Sequence, residues 1–167
     1  MKKIFLLLFV FSLLGCEKDD ICDENTSTTP RLVIEFYDFN ASTETLKNVT
    51  ALGVIAPSFT EGIGFTGVNK IQVPLKTTED STTLRFIKNG SDTDTTNDNE
   101  DILQFNYSRN EVYVSRACGF KTLFTLNATN PIIPTEPFSS ASSWIKNIVI
   151  VKSNLENENE VHVKIFF

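Results

Sequence analysis

The chain has 167 residues, 41% hydrophobic and 22% charged, with 15 Lys and Arg against 21 Asp and Glu for a formal net charge of −6 at pH 7. That length fits one domain able to bury a real core, and the acidic balance, without a clustered basic stretch, disfavours nucleic acid and anionic head groups as partners. A single histidine excludes a three-histidine zinc site, and no metal or cofactor is expected.

The chain opens with Lys2 and Lys3 and an apolar run from Ile4 to Leu14. A charged start before such a run is the pattern of a secretory signal, too short to cross a bilayer that needs about 20 apolar residues. Leu13-Leu14-Gly15-Cys16 closes the run without an Ala-x-Ala site. It resembles the lipobox of bacterial lipoproteins, which implies that the Cys16 thiol is acylated and that Cys16 becomes the N-terminus. Residues 1–15 are then a lipoprotein signal peptide, 16–29 a lipidated, charged tether and 30–167 the folded domain. One acyl chain holds marginally and two or more hold stably, so the protein is expected to stay on its membrane. Loss of Lys2 and Lys3 leaves 13 basic and 21 acidic side chains, a net charge of −8. The segment Glu17-Lys18-Asp19-Asp20 is similar to the surface-export signal of Bacteroidetes lipoproteins, a Lys followed by two acids behind the acylated cysteine. The rival reading is a solvated tether on a periplasm-facing lipoprotein.

Arg31 to Phe39 reads as a strand with apolar residues on both faces, hence central, and Leu46 to Ile55 as a weaker strand bulged at Gly53. Ile71, Val73 and Leu75 alternate beside Pro74, which favours an edge. Thr82 to Lys88 is β-rich and ends at Asn89-Gly90, a turn signal. Residues 91–101 contain no apolar side chain and read as a long exposed loop. Ile102 to Tyr107 and Glu111 to Arg116 read as a hairpin turning at Ser108-Arg109-Asn110, followed by a strand from Phe120 to Leu126. Pro131, Pro134 and Pro137 argue against regular structure there, and Ser139 to Ser143 leaves room for one helical turn. Trp144 to Lys152 and Val161 to Phe167 form a last hairpin, the final strand belonging to the core. The sum is an all-β fold, an antiparallel β-sandwich of about seven or eight strands, immunoglobulin-like or transthyretin-like in its Greek key, with little or no helix.

Several motifs invite chemistry. Gly62-Ile63-Gly64-Phe65-Thr66-Gly67 matches the dinucleotide pattern, which needs a strand before it and a helix after it, but Pro57 precedes it and a strand with Pro74 follows, so it reads as a flexible loop. Asp92, Asp94, Asp98, Glu100 and Asp101 offer oxygen ligands for Ca²⁺, yet Asn97 and Leu103 fall where an EF-hand needs Gly and a bidentate acid, so a solvated loop is the default. His162 has no nucleophile motif near it, and no catalytic residue is assigned. A hydrolase using paired carboxylates remains the less favoured enzymatic reading. Asp80-Ser81-Thr82 and Asp94-Thr95-Thr96 look like acceptor sites of the general O-glycosylation of Bacteroidetes, at Ser81 and Thr95. Cys22 and Cys118, the cysteines besides Cys16, are expected to bridge in an oxidising compartment, two separate thiols being the alternative.

Together, Cys16-Glu17-Lys18-Asp19-Asp20-Ile21-Cys22, the run from Thr28 to Asp38, Tyr113-Val114-Ser115-Arg116-Ala117-Cys118-Gly119-Phe120-Lys121 and the ending His162 to Phe167 resemble an uncharacterised family of Bacteroidetes outer-membrane lipoproteins known as a domain of unknown function. The resemblance covers nearly all of the mature chain and carries no assigned activity. It implies the envelope location, supports the pairing of Cys22 with Cys118, and directs attention to Arg116 as a functional surface. The expectation is a lipid-anchored, surface-exposed outer-membrane module without catalysis, binding an outer-membrane protein or a glycan. The alternative is a periplasm-facing structural lipoprotein of envelope assembly.

Overall fold

The computed structural model describes residues 21–167. The expected signal peptide, Cys16, Lys18, Asp19 and Asp20 lie outside the described residues. Eleven strands follow in chain order: β1 (Leu32–Tyr37), β2 (Val49–Ile55), β3 (Ile63–Val68), β4 (Lys70–Val73), β5 (Ser81–Lys88), β6 (Asn99–Ser115), β7 (Gly119–Leu126), β8 (Ile132–Pro134), β9 (Asn147–Ile150), β10 (Asn154–Leu155) and β11 (Val163–Phe166). A seven-stranded antiparallel sheet, ordered β10-β7-β6-β5-β2-β3 with β8 also on β6, packs on a four-stranded sheet ordered β4-β1-β11-β9. The protein is a β-sandwich, with no α-helix among the described residues.

The core lies between the sheets because alternate side chains of each strand face inward. Leu32, Ile34 and Phe36 of β1 and Val163 and Ile165 of β11 meet Leu84 and Phe86 of β5, Leu103, Phe105 and Tyr107 of β6 and Phe124 of β7. Trp144 fills one part of the core, its indole N–H donating to the Phe86 carbonyl at 3.1 Å. β1 is central, as its two apolar faces predict, and β4 beside Pro74 is an edge. The smaller sheet is mixed, since β1 and β11 run parallel with Ile34 opposite Val163. Parallel neighbours require a long connection, and here it is almost the whole domain.

The expected turn at Ser108-Arg109-Asn110 does not form. β6 runs unbroken for 17 residues, pairing with β5 from Asn99 to Asn106 and with β7 from Tyr107 to Ser115. The polarity of Arg109 has another cause, since its guanidinium donates to the Asp80 carboxylate at 2.7 Å and to the Thr77 carbonyl at 2.6 Å. The hairpin turns instead just before Gly119, whose φ of +70° is in the left-handed region. Asn89 does turn as predicted, with φ of +69°.

The exposed loop expected over 91–101 ends at Asp98, for β6 begins at Asn99 and Asp101 is buried. Residues Thr95–Asn97 form a 3-10 turn capped by Asp94. Ile132–Pro134 adds a short strand where three prolines argued against one, with Pro134 closing an edge that needs no further N–H donor. Residues 139–143 hold turns only. The last hairpin pairs β9 with β11, but between them β10 crosses to the larger sheet and pairs with β7.

Candidate functional site at the disulfide

The end of the β6–β7 hairpin is built by its turn. Ser115 Oγ accepts the Cys118 backbone N–H at 3.0 Å, and Gly119 returns the chain into β7. Cys118 is joined to Cys22, with the Cα atoms 4.9 Å apart across 96 positions of sequence. Residues from Cys22 onward lie along β7. The Asp23 carbonyl accepts the Thr26 N–H at 2.9 Å, Lys121 Nζ donates to Ser27 Oγ at 2.9 Å, and Thr29 Oγ1 accepts the Thr122 backbone N–H at 2.9 Å. The last two bonds cover the part of β7 before Phe124, where its pairing with β10 stops.

An open cleft of about 470 Å³ lies at this end, lined by Ile21, Asp23, Thr26, Tyr113, Arg116 and Cys118 among others. Tyr113 and Phe120 face each other across the hairpin, edge to face with ring centroids 5.4 Å apart. They are 55% and 66% exposed, and Ile21 beside the cleft is 81% exposed. Arg116 and the disulfide's Cys118 line the same cleft. The aromatic pair was missed, because its members are seven residues apart and only the β6–β7 register sets one opposite the other.

The remaining sequence candidates scatter. Thr95 is exposed on its 3-10 turn, whereas Ser81 is half-buried at the start of β5 opposite Asn106. The acids of the 91–101 stretch part company: Asp94 Oδ1 accepts from Thr96, Glu100 pairs with Arg85 at 2.5 Å, and Asp101 points inward. Among the described residues no three metal-ligating side chains come together. The glycine pattern at 62–67 is not a flexible loop, since residues 63–67 lie in the edge strand β3 and Gly62 immediately precedes it. Gly62 is needed there because a Cβ would strike the Val54 carbonyl, a close approach of backbone to backbone in place of a phosphate cradle.

His162 is buried, and its Nδ1 accepts the Val33 backbone N–H at 3.0 Å. Burial lowers its pKa below the ordinary 6.5, and Lys152 acts in the same direction against Glu160 and Glu158. Its one acceptor nitrogen is thereby committed to the backbone. The disulfide cleft is lined by a single carboxylate, Asp23, and the cleft beside Pro30 by Glu158, which is held by Arg31 at 2.6 Å. Two converging acids, the requirement of a glycosidase-type site, meet in neither.

Two packed sheets, with the segment before β1 bridged to the β6–β7 turn, define a disulfide-stapled β-sandwich protein. Residues 53–167 match the model of a family of unknown function, DUF6452, and the chain belongs to that family. The matched stretch begins within β2 and contains the whole β6–β7 hairpin with Cys118, while Cys22 and β1 precede it. No curated protein and no solved structure matches the chain.

Proposed function

We propose that the protein is a Bacteroidetes outer-membrane lipoprotein, acylated at Cys16, that works at the cell surface as a non-catalytic binding or accessory module for an outer-membrane protein or a glycan. The observation that carries this reading is the Cys22–Cys118 bond. It joins the sandwich to the chain six residues after Cys16, so a lipid there would hold the whole domain by a short, covalently fixed stem. A disulfide also belongs to an oxidising compartment, consistent with the apolar leader and Leu14-Gly15-Cys16. Lys18, Asp19 and Asp20 supply the surface-export address. The commitment of His162 to Val33, and of Asp101 to the backbone of Ile145, supports a non-catalytic role.

The test is expression of the full chain and of Cys16→Ser in a Bacteroidetes host, with fractionation, acyl labelling and protease treatment of intact cells. Wild type should carry label, sediment with outer membrane and be cut on intact cells. Equal membrane retention of an unlabelled Cys16→Ser chain overturns the anchor, and full protection from protease assigns the protein to the periplasmic face.

A further inference from the structure

The end of the sandwich that carries the disulfide also carries its most exposed aromatic pair. Beyond Asn106, β6 pairs with β7 alone, so the distal hairpin extends past β5. On the face of that extension which continues the core side, the side chains change from buried Tyr107 and Phe124 to exposed Tyr113 and Phe120. Between the two pairs that face carries Arg109, tied to Asp80, and Glu111, and beyond these charges Tyr113 and Phe120 stand exposed on the hairpin end. Ile21 adds a third exposed apolar side chain next to the same cleft.

What covers them is indicated by where the described chain ends. Cys16 precedes Ile21 by five residues, a reach of at most about 18 Å in full extension. A 17-residue strand such as β6 is about 55 Å long, so a lipid on Cys16 can bring this end of the molecule to a bilayer but not the opposite one. Tyr and Phe with an aliphatic neighbour are the side chains that settle at the head-group boundary, where a ring has one wet and one apolar side. Asp23 and Glu24 stand at the same end as Arg116 and Lys121, a mixed charge that calls for no anionic surface and suits a zwitterionic one.

We propose that the β6–β7 hairpin end, through Tyr113, Phe120 and Ile21, is seated on the bilayer surface as a second, non-covalent membrane contact that fixes the orientation of the anchored domain. This rests on acylation at Cys16. It makes the stapled end the membrane-facing one and leaves the opposite end of the sandwich, with the 91–98 loop, pointing away.

The test uses the full acylated chain in vesicles of phosphatidylcholine and phosphatidylethanolamine, with and without lipids brominated high on the acyl chain. Trp144 is the native tryptophan and is buried against the Phe86 carbonyl, so wild-type emission serves as the reference. Tyr113→Trp should lose up to about half of its emission to brominated lipid, one of its two indoles lying at the interface. Phe120→Trp should do the same, which keeps the test open if one variant misfolds. Acylated, vesicle-bound variants whose added indole is unaffected by bromine overturn the proposal. So does emission that changes with protein concentration alone, which would put a second copy on the tip. Failure of the anchor is read separately, as an absent acyl mass on Cys16 or undiminished vesicle flotation of Cys16→Ser.

Discussion

Val33 and His162 exchange two hydrogen bonds. The Val33 N–H donates to His162 Nδ1 and the His162 N–H donates to the Val33 carbonyl, each at 3.0 Å. The side chain thus continues the β1–β11 ladder by one rung just before Val163, where strand pairing begins. Only unprotonated Nδ1 can accept, so the imidazole is neutral with its proton on Nε2.

A pH dependence follows from that neutrality. The folded pKa lies below 6.5, so below pH 6.5 the unfolded chain binds more protons than the native one. Stability contributed by His162 is complete above pH 6.5 and declines as the pH falls toward the folded value. Urea titrations at several pH values across this window should show the decline in wild type. In His162→Gln, less stable at neutral pH, the slope should be absent.

Asp101 is the second buried polar anchor. Its Oδ2 accepts the Ile145 backbone N–H at 2.7 Å and the Ser143 hydroxyl at 3.0 Å, binding β6 to the segment before β9. Asp101→Ala strands the Ile145 N–H in the interior, while the Ser143 hydroxyl keeps the Ile145 carbonyl at 2.7 Å, and should cost about 1–3 kcal/mol in chemical denaturation. Asp101→Asn keeps an acceptor and should cost less.

Tyr107 closes a network with Thr82 and Lys76. Its hydroxyl donates to the Lys76 carbonyl at 2.9 Å and accepts from Thr82 Oγ1 at 2.6 Å, while Thr82 Oγ1 accepts the Lys76 N–H at 2.8 Å. Burial raises the phenol pKa, so it remains a donor at all physiological pH values. Tyr107→Phe keeps the ring against Phe124, 5.1 Å away, and should lose about 1–2 kcal/mol, measured as a lower urea midpoint at unchanged m-value.

The disulfide closes a span of 96 residues, for which chain entropy predicts about 4–5 kcal/mol and removal of native bridges typically costs about 2–5. Cys22→Ser with Cys118→Ser should fall within that range in guanidinium titration and should also loosen residues 22–29. Hydrogen exchange of the Thr122 amide, which Thr29 accepts, should quicken more than that of Phe86 within β5.

The sequence by itself determined the class of this fold and much of its local order. Side-chain alternation is a property of each strand alone, and so are the turn at Asn89-Gly90, the edge at Pro74 and the centrality of β1, because a doubly apolar strand has to be covered on both faces. The same reading put Arg116 beside Cys118 and paired Cys118 with Cys22 by chemistry and compartment. Tertiary structure alone decided the continuity of β6, the inward turn of Asp101, the parallel meeting of β1 with β11 and the pairing of Tyr113 with Phe120. Each of these depends on which distant segment lies alongside. Arg109 looks like a turn residue until Asp80 is beside it, and Asp101 looks like a loop acid until the Ile145 N–H is above it. Local pattern states what a strand needs to bury, whereas register and long-range pairing choose what it is buried against, and the exposed aromatic end arises where the β6–β7 hairpin outruns β5.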